Sequence, residues 1–293
     1  MAASPSASLP SLAVLLVEQA VRAALIEDIG LAGDITSDAT IAPQARATAV
    51  LATRQNGVLC GMPLAIAAFM AIDPLLSFKA MKKDGDKIKA GAIVGRISGN
   101  ARAILAAERV ALNFLMRMSG IASYTARFQE LICHTHARVT CTRKTVPGMR
   151  AFDKYAVKCG GGSNHRYCLS DAILIKDNHI AVCGGVALAI NRARAFAGHL
   201  VKVEVEVDNL AQFAEALGAA PDVVLLDNMA PDLLRQAVAM RLKSGSGVRL
   251  EASGNVRFET IKEIAETGVD YISTSKITMA APTLDLGLDI EIG

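Results

Sequence analysis

Short runs of β-branched residues recur through the second half of the chain, at 139–142, 172–175, 201–207, 223–226, 248–251 and 271–273. Between them lie stretches with apolar positions every three to four residues, at 186–196, 210–217, 231–243 and 257–267. The first pattern predicts buried strands and the second amphipathic helices. Strand and helix alternating in this way form a βα repeat, hence a parallel sheet with right-handed crossovers. Successive strands end on polar residues: Arg143-Lys144, Lys176-Asp177-Asn178, Glu206 with Asp208, Asp227-Asn228, Ser253-Gly254-Asn255 and Thr274-Ser275-Lys276. In a barrel such ends converge on one face, where barrel sites lie, whereas an open doubly wound sheet spreads them along an edge. The repeats are fewer than the eight of a complete barrel, so a shortened or open α/β barrel is expected.

The first third is mixed. Residues 13–26 have helical periodicity, 46–54 alternate like a strand, and Gly57 and Gly61 punctuate the next stretch. Residues 76–98 read as short strands joined by the Asp84-Gly85-Asp86 turn and by Gly91 and Gly95. Ala80-Met81-Lys82 beside that turn invites comparison with a biotin-attachment hairpin. The lysine precedes the turn, however, a second methionine is missing, and the chain is far too long for a carrier module. Residues 101–118 are helical, with Ile104, Leu105, Leu112, Leu115 and Met116 on an apolar face and Arg109, Asn113 and Arg117 recurring every fourth residue. That polar row reads as a solvated stripe, the alternative being a row that reaches into a partner's cleft. Residues 1–11, rich in Ser, Ala and Pro, are expected to be a disordered tail.

Composition narrows the class. A chain of 293 residues can bury a large core and divide into two domains. The net charge of +3 gives no general attraction to nucleic acid or to a membrane surface. No apolar run approaches a membrane span. The run 12–17 ends at Glu18 with no basic region before it, so no secretory signal is read and a cytoplasmic protein is expected. The cysteines at 60, 133, 141, 159, 168 and 183 include no Cys-x-x-Cys pair. They are expected to be free thiols, mostly buried as small hydrophobes, rather than a metal or redox motif.

Against this neutral background, residues 142–179 concentrate Arg143, Lys144, Arg150, Lys154, Lys158, Arg166 and Lys176 against Asp153, Asp171 and Asp177. Guanidinium forks and ammonium donors at this density suit a small ligand carrying several phosphates or carboxylates. On the βα rhythm, Arg143-Lys144 follow one strand and Lys176 ends the next, with His165-Arg166 arriving between them. The Gly160-Gly161-Gly162 run matches no Walker or dinucleotide fingerprint and reads as a flexible turn that lets His165-Arg166 reach the ligand. Arg150, Lys154 and Lys158 read as an ordinary helix surface. A phosphate fits Ser253-Gly254-Asn255, where a strand gives way to a helix beginning near Phe258 and backbone N–H groups face the anion. Alternation over 202–208 puts Glu204 and Glu206 on one face. With Asp227 one strand on, they set carboxylates among the cations, suited to Mg²⁺ or to ribose hydroxyls. His134, His136 and His199 read as surface residues, and His179 either supports Lys176 or packs.

Several segments occur in order: Gly33-Asp34-Ile35-Thr36, Glu108-Arg109-Val110-Ala111-Leu112-Asn113, Thr142-Arg143-Lys144-Thr145, Gly160-Gly161-Gly162-Ser163-Asn164-His165-Arg166, Ile175-Lys176-Asp177-Asn178-His179, Glu204-Val205-Glu206-Val207-Asp208, Leu226-Asp227-Asn228 and Glu251-Ala252-Ser253-Gly254-Asn255. Together they closely resemble the quinolinate phosphoribosyltransferases, or carboxylating nicotinate-nucleotide pyrophosphorylases, from about residue 20 to the C-terminus. The resemblance implies an N-terminal α/β sandwich, here 12–115 joined by the tail 277–293, and an incomplete α/β barrel of parallel strands, here 116–276. It implies a homodimer in which Arg109 acts in the neighbour's site, in place of the solvated stripe. Arg109, Arg143, His165, Arg166 and Lys176 would surround the quinolinate carboxylates. Lys144, Glu206, Asp227, Ser253, Gly254 and Asn255 would hold phosphoribosyl pyrophosphate, with Thr142 beside them and Mg²⁺ on the pyrophosphate, held by Glu206 and Asp227 directly or through water. The chain departs from the family at the end of the last barrel strand. Ser275 and Met279 stand where a glycine and a histidine are common, with Lys276 between as a replacement donor and the Thr274 and Ser275 amides still available.

The implied reaction transfers phosphoribosyl to quinolinate with decarboxylation, giving nicotinate mononucleotide, pyrophosphate and CO₂, with Lys144, Glu206 and Asp227 as the catalytic groups. Two other readings are a related phosphoribosyltransferase acting on another heteroaromatic acid and a non-enzymatic RNA-binding module. The second lacks aromatics for stacking, since only Phe152, Tyr155 and Tyr167 lie in the basic segment, and its acidic strand ends would repel a phosphate backbone.

Overall fold

The computed structural model describes residues 9–291, so most of the expected tail, residues 1–8, lies outside the described residues. Helix α1 (Val14–Ile29) buries Val17, Val21 and Leu25, one position per turn. Helix α2 (Ile35–Thr40) begins at Asp34, whose carboxylate accepts the Ser37 N–H at 3.1 Å and the Ser37 hydroxyl at 2.5 Å. Those bonds hold the Asp34 carboxyl below its ordinary value. There follow β1 (Arg46–Thr53), β2 (Gly57–Val58), α3 (Met62–Ile72), β3 (Ser77–Ala80), β4 (Lys87–Ile88), β5 (Ile93–Asn100) and the long helix α4 (Ala101–Leu131). Next come β6 (Arg138–Thr140), α5 (Arg150–Cys159), β7 (Ile173–Ile175), α6 (Asp177–Cys183), α7 (Val186–Phe196), β8 (Val203–Val207), α8 (Leu210–Ala219) and β9 (Val223–Asp227). The chain ends with α9 (Pro231–Ser244), β10 (Arg249–Ser253), α10 (Phe258–Glu266), β11 (Tyr271–Ser273), α11 (Lys276–Met279) and β12 (Leu286–Glu291). Among the described residues no helix is long and apolar enough to cross a membrane.

The chain divides into two compact units. The first comprises the residues up to Ala126, Ala151–Gly161 and those from Ala281 onward. It is built on an antiparallel sheet of order β12-β1-β5-β3, whose strand β1 buries Ala49, Leu51 and Thr53 on one face. Gly95 lies inside β5 rather than between strands: a Cβ there would meet the Phe78 ring at 2.8 Å, so the missing side chain is what admits the ring. Helix α3 left no signal in the polar pattern because it has no polar face; Met62, Leu64, Ala65, Ala68 and Phe69 are all buried.

Two sequence expectations fail in this unit. The Arg109, Asn113 and Arg117 row is not uniformly solvated. Arg109 and Asn113 are exposed, but Arg117 grips the wholly buried Asp153 of α5, with Nη2 at 2.9 Å from each carboxylate oxygen. Helix α5 is not an ordinary surface either, because Lys154 and Asp153 are both 0% exposed. Removing Arg117 would leave a carboxylate in the interior, which is why the pair is structural.

The second unit, Arg127–Arg150 and Gly162–Ala280, holds six parallel strands in the order β6-β11-β10-β9-β8-β7. The first strand pairs with the last, Val139 opposite Ile272, while β6 and β7 are unpaired. This is an open α/β barrel with its seam between β6 and β7. Val139, Val205, Val207, Val224, Leu226, Leu250 and Ile272 form its buried strand core. The glycine run forms a turn after α5. Gly161, at φ +83°, follows α5 in the left-handed conformation, and Ser163 then docks onto β6. Its N–H donates to the Val139 carbonyl at 2.8 Å, and its carbonyl accepts the Cys141 N–H at 3.3 Å.

Candidate active site

Because the six strands are parallel, their C-terminal ends lie at one end of the barrel. There a cavity of about 260 Å³ is lined by Thr142, Arg143, Lys144, His165, Arg166, Lys176, Glu206 and Ser253, together with Leu174, Leu225, Glu251 and Ser273. The first eight of these are residues expected from the sequence. Asp227 ends β9 opposite Ser253 of β10, so it sits at the same rim, with Gly254 and Asn255 on the loop after it. Thr274 and Ser275 lie just past β11, where the Thr274 N–H donates to the Thr140 carbonyl at 3.1 Å and the Ser275 carbonyl accepts the Met279 N–H at 2.8 Å. The Ser275 carbonyl is thereby committed to starting α11, and Met279 is left exposed. Arg109 belongs to the other unit.

The segments that carry Arg143, Lys144 and Arg166 are held by backbone and hydroxyl contacts, whereas Lys176 pairs with an acid. The Thr142 hydroxyl accepts the Lys144 N–H at 3.0 Å, and the Lys144 carbonyl accepts the Thr278 hydroxyl at 2.7 Å. Arg150, expected on a helix surface, instead ties two loops together. It donates to the Arg143 carbonyl at 3.2 Å, to the Tyr167 carbonyl at 3.0 Å and to Thr145 Oγ1 at 3.1 Å. Arg166 Nη1 donates to the Ala172 carbonyl at 2.8 Å. The Nε donors of Arg143 and Arg166 are buried and have no hydrogen-bond partner. Burial, then the neighbouring Arg143, lowers the pKa of the Arg166 guanidinium.

His165 is already committed. Its Nδ1 accepts the Arg166 N–H at 2.8 Å, so the ring proton sits on Nε2, which is 2.8 Å from Glu204 Oε2. Neither ring nitrogen is left for an anion, and the side chain fixes the backbone that carries Arg166. His179 does the same for Lys176, its Nδ1 accepting the Lys176 N–H at 3.0 Å. Lys176 Nζ in turn bonds Glu206 Oε2.

Glu204 and Glu206 do share the inward face, but only Glu206 reaches the cavity wall. Beneath it, the fully buried Glu251 has no hydrogen-bond partner for Oε1, and His165 Nε2 stands 3.9 Å away. Burial, then the charge of Glu204, pushes the Glu251 carboxyl up to about 8, so it is neutral at pH 7. Four cationic side chains therefore line the cavity against the single charged carboxylate of Glu206. The in-phase spacing of Arg249, Glu251 and Ser253 was the available signal that Glu251 shares the face of Ser253. Arg150 was visible as one of the clustered cations but read as helix surface, and nothing in the sequence pattern marked Ser273.

At the rim, Asn228 Nδ2 donates to Asp227 Oδ2 at 2.6 Å and Asn255 Nδ2 to Asn228 Oδ1 at 3.2 Å. Asn228 and Asn255 both take positive φ, 52° and 51°, a conformation tolerated more often at functional loops than elsewhere. Gly254, at φ +92°, is locked in by the same network: a Cβ would lie 2.1 Å from Asn228 Oδ1. The loop therefore presents bare backbone just ahead of α10.

Residues 34–119 match the model of the quinolinate phosphoribosyl transferase N-terminal domain and residues 121–289 that of its C-terminal domain. A probable carboxylating nicotinate-nucleotide pyrophosphorylase from Bacillus subtilis is 38% identical over 267 residues, covering 91% of each chain. The chloroplastic carboxylating nicotinate-nucleotide pyrophosphorylase of Arabidopsis thaliana is 38% identical, over 92% of this chain and 82% of its own. Among solved structures, the nicotinate-nucleotide pyrophosphorylase from Francisella tularensis superposes with a TM-score of 0.91 at 38% identity, over 97% of this chain and 99% of that one. By sequence, domain composition and fold, the chain belongs to the quinolinate phosphoribosyl transferase family.

Proposed function

We propose that the chain performs its family's reaction, transferring phosphoribosyl from phosphoribosyl pyrophosphate to quinolinate with loss of CO₂ to give nicotinate mononucleotide in NAD biosynthesis. The observation that carries this reading is the pair of buried, unpartnered Nε donors on Arg143 and Arg166 beside one cavity. An unsatisfied buried donor costs on the order of 1–3 kcal/mol, and two guanidinium edges on one small cavity match a dicarboxylate.

In this reading Arg143 and Arg166 hold the quinolinate carboxylates, with Lys176 beside them and His165 positioning Arg166. Lys144 neutralises charge on the departing pyrophosphate, while Ser253, Gly254 and Asn255 offer backbone to the phosphate and Ser275 offers an amide nearby; the Thr274 N–H, expected to serve as well, is already given to the Thr140 carbonyl. Lys276 takes the place of the donor that Met279 lacks. Glu206, steadied by Lys176, and Asp227, steadied by Asn228, either stabilise the ribosyl group as it gains oxocarbenium character or hold its hydroxyls. The pyridine nitrogen bonds to the ribosyl carbon as that carbon's bond to the pyrophosphate oxygen breaks. The ring nitrogen is then positive, so the 2-carboxylate leaves as CO₂ and its bonding pair stays on the ring until a solvent proton replaces it. No protein nucleophile is required; positioning and electrostatics suffice. Glu206 and Asp227, carboxylates on neighbouring strands, are the oxygen-only set that suits a largely hydrated Mg²⁺, which when bound would neutralise pyrophosphate charge.

We place the protein in the cytoplasm, a reading supported by its six cysteine thiols, although only Cys60, Cys141 and Cys159 are buried. A homodimer with Arg109 entering the neighbour's site is supported by the exposure of Arg109 and Asn113 on a helix otherwise largely buried. The purified chain should release pyrophosphate and CO₂ in equal amounts when given quinolinate and phosphoribosyl pyrophosphate, and should not turn over nicotinate. Turnover of nicotinate would instead favour a relative acting on another heteroaromatic acid. Inactive Arg109→Ala and inactive Lys176→Ala subunits, once mixed, should regain part of the wild-type rate. Isolated heterodimers without activity would rule out the shared site.

A further inference from the structure

Cys60, Asp84 and Cys159 come from three separated segments of the first unit: the turn ahead of α3, the β3–β4 connection and the last residue of α5. One ligand atom from each lies within 4.8 Å of the other two. Cys60 is 0% exposed and Cys159 8%, while Asp84 is half-buried. Asp84 and Cys159 form part of the wall of a groove of about 870 Å³, which gives the cluster a route to solvent.

The cluster is held from outside. Asp84 Oδ1 accepts the Met62 N–H at 3.0 Å, and Asp84 Oδ2 accepts the Tyr155 hydroxyl at 3.0 Å. Ser119 Oγ pins the backbone of Cys60, accepting its N–H at 2.9 Å and donating to its carbonyl at 3.0 Å. Ligand sets are commonly oriented by a second layer of this kind. No step of the proposed reaction uses any of these residues.

We propose that Cys60, Cys159 and Asp84 form a binding site for a soft divalent cation of the zinc class. Two sulfurs and one carboxylate oxygen are donors that Zn²⁺ and Cd²⁺ accept, whereas Mg²⁺ and Ca²⁺ require oxygen alone. Three protein ligands leave a fourth tetrahedral position for water or a donor from the groove. Burial, then Cys159, holds the Cys60 thiol well above its ordinary value, so the two sulfurs are not a pair of bare thiolates. A cation displaces both thiol protons and compensates the charge it creates. The set was invisible to a search for Cys-x-x-Cys spacing because its members are brought together only by the fold.

The test is a titration of the reduced, chelator-stripped full-length protein with Cd²⁺, following the thiolate-to-cadmium charge-transfer band, alongside elemental analysis for zinc. One equivalent of Cd²⁺ should produce the band, and Zn²⁺ should compete it away. Cys159→Ser should weaken binding at least about 100-fold, Asp84→Asn about tenfold, and the exposed Cys133→Ser not at all. Cys159 sits at the groove wall, so its variant decides the matter even where Cys60→Ser disturbs packing. A folded wild type with no band, or a band unchanged in Cys159→Ser, would overturn the site. So would a Cys60–Cys159 disulfide that persists in reductant.

Discussion

Arg166→Ala is expected to raise the KM for quinolinate about 100-fold, with the KM for phosphoribosyl pyrophosphate changed less than about threefold. The guanidinium is held on one side by the Ala172 carbonyl, its buried Nε has no partner, and the residue lines the cavity. A charge-assisted bond at such a group contributes roughly 2–3 kcal/mol, because the carboxylate meets a donor already desolvated and already oriented. Arg166→Lys should recover little of the loss, since an ammonium cannot reproduce the planar fork. Steady-state kinetics with each substrate varied in turn would check this. A quinolinate KM near the wild-type value would remove Arg166 from the substrate contacts.

Glu251→Gln is expected to stabilise the folded protein at pH 7 by on the order of 3 kcal/mol, with the gain shrinking to nothing near pH 4. The sign comes from the proton balance. In the unfolded chain this carboxyl ionises near its ordinary value of about 4.3, whereas in the folded chain it stays protonated up to about 8. Between those values the unfolded state binds fewer protons, so wild-type stability falls as pH rises, by about 1.4 kcal/mol per pH unit for this group. Glutamine is neutral in both states and removes that slope while keeping the shape. Denaturant unfolding of both proteins at pH 4, 5.5, 7 and 8 would reveal it. A difference independent of pH would mean that Glu251 is ionised in the folded protein.

These two residues differ in how readable they were. Arg166 comes after a glycine run between two predicted strand ends, and its chemistry could be named from the residue pattern alone. Glu251 sits mid-strand, between Leu250 and Ala252. Its neutrality depends on complete burial beside Glu204, and burial is set by what packs around a residue. His165 belongs with Glu251: it was expected among the groups around the quinolinate carboxylates, but the Arg166 amide and Glu204 occupy both ring nitrogens and make it a support. Arg117 and Lys154 illustrate the same limit. Each looked like a surface charge, and each is drawn inward by helix packing that involves residues far along the chain.

The βα rhythm and the polar strand ends were legible in one dimension, because alternation, helical periodicity and turn residues act over a few neighbours; the family was legible separately, as a resemblance carried by ordered motifs. The sequence also pointed to Lys176 and to Arg143-Lys144 at the barrel mouth, since residues just past a parallel strand emerge at that end. Only the tertiary structure decided which charges are solvated, which are neutral and which are already paired. It also decided that the first strand pairs with the last to leave a seam for Ser163, and that Cys60, Asp84 and Cys159 meet at all. These are long-range matters of desolvation and contact, and local pattern carries no record of them.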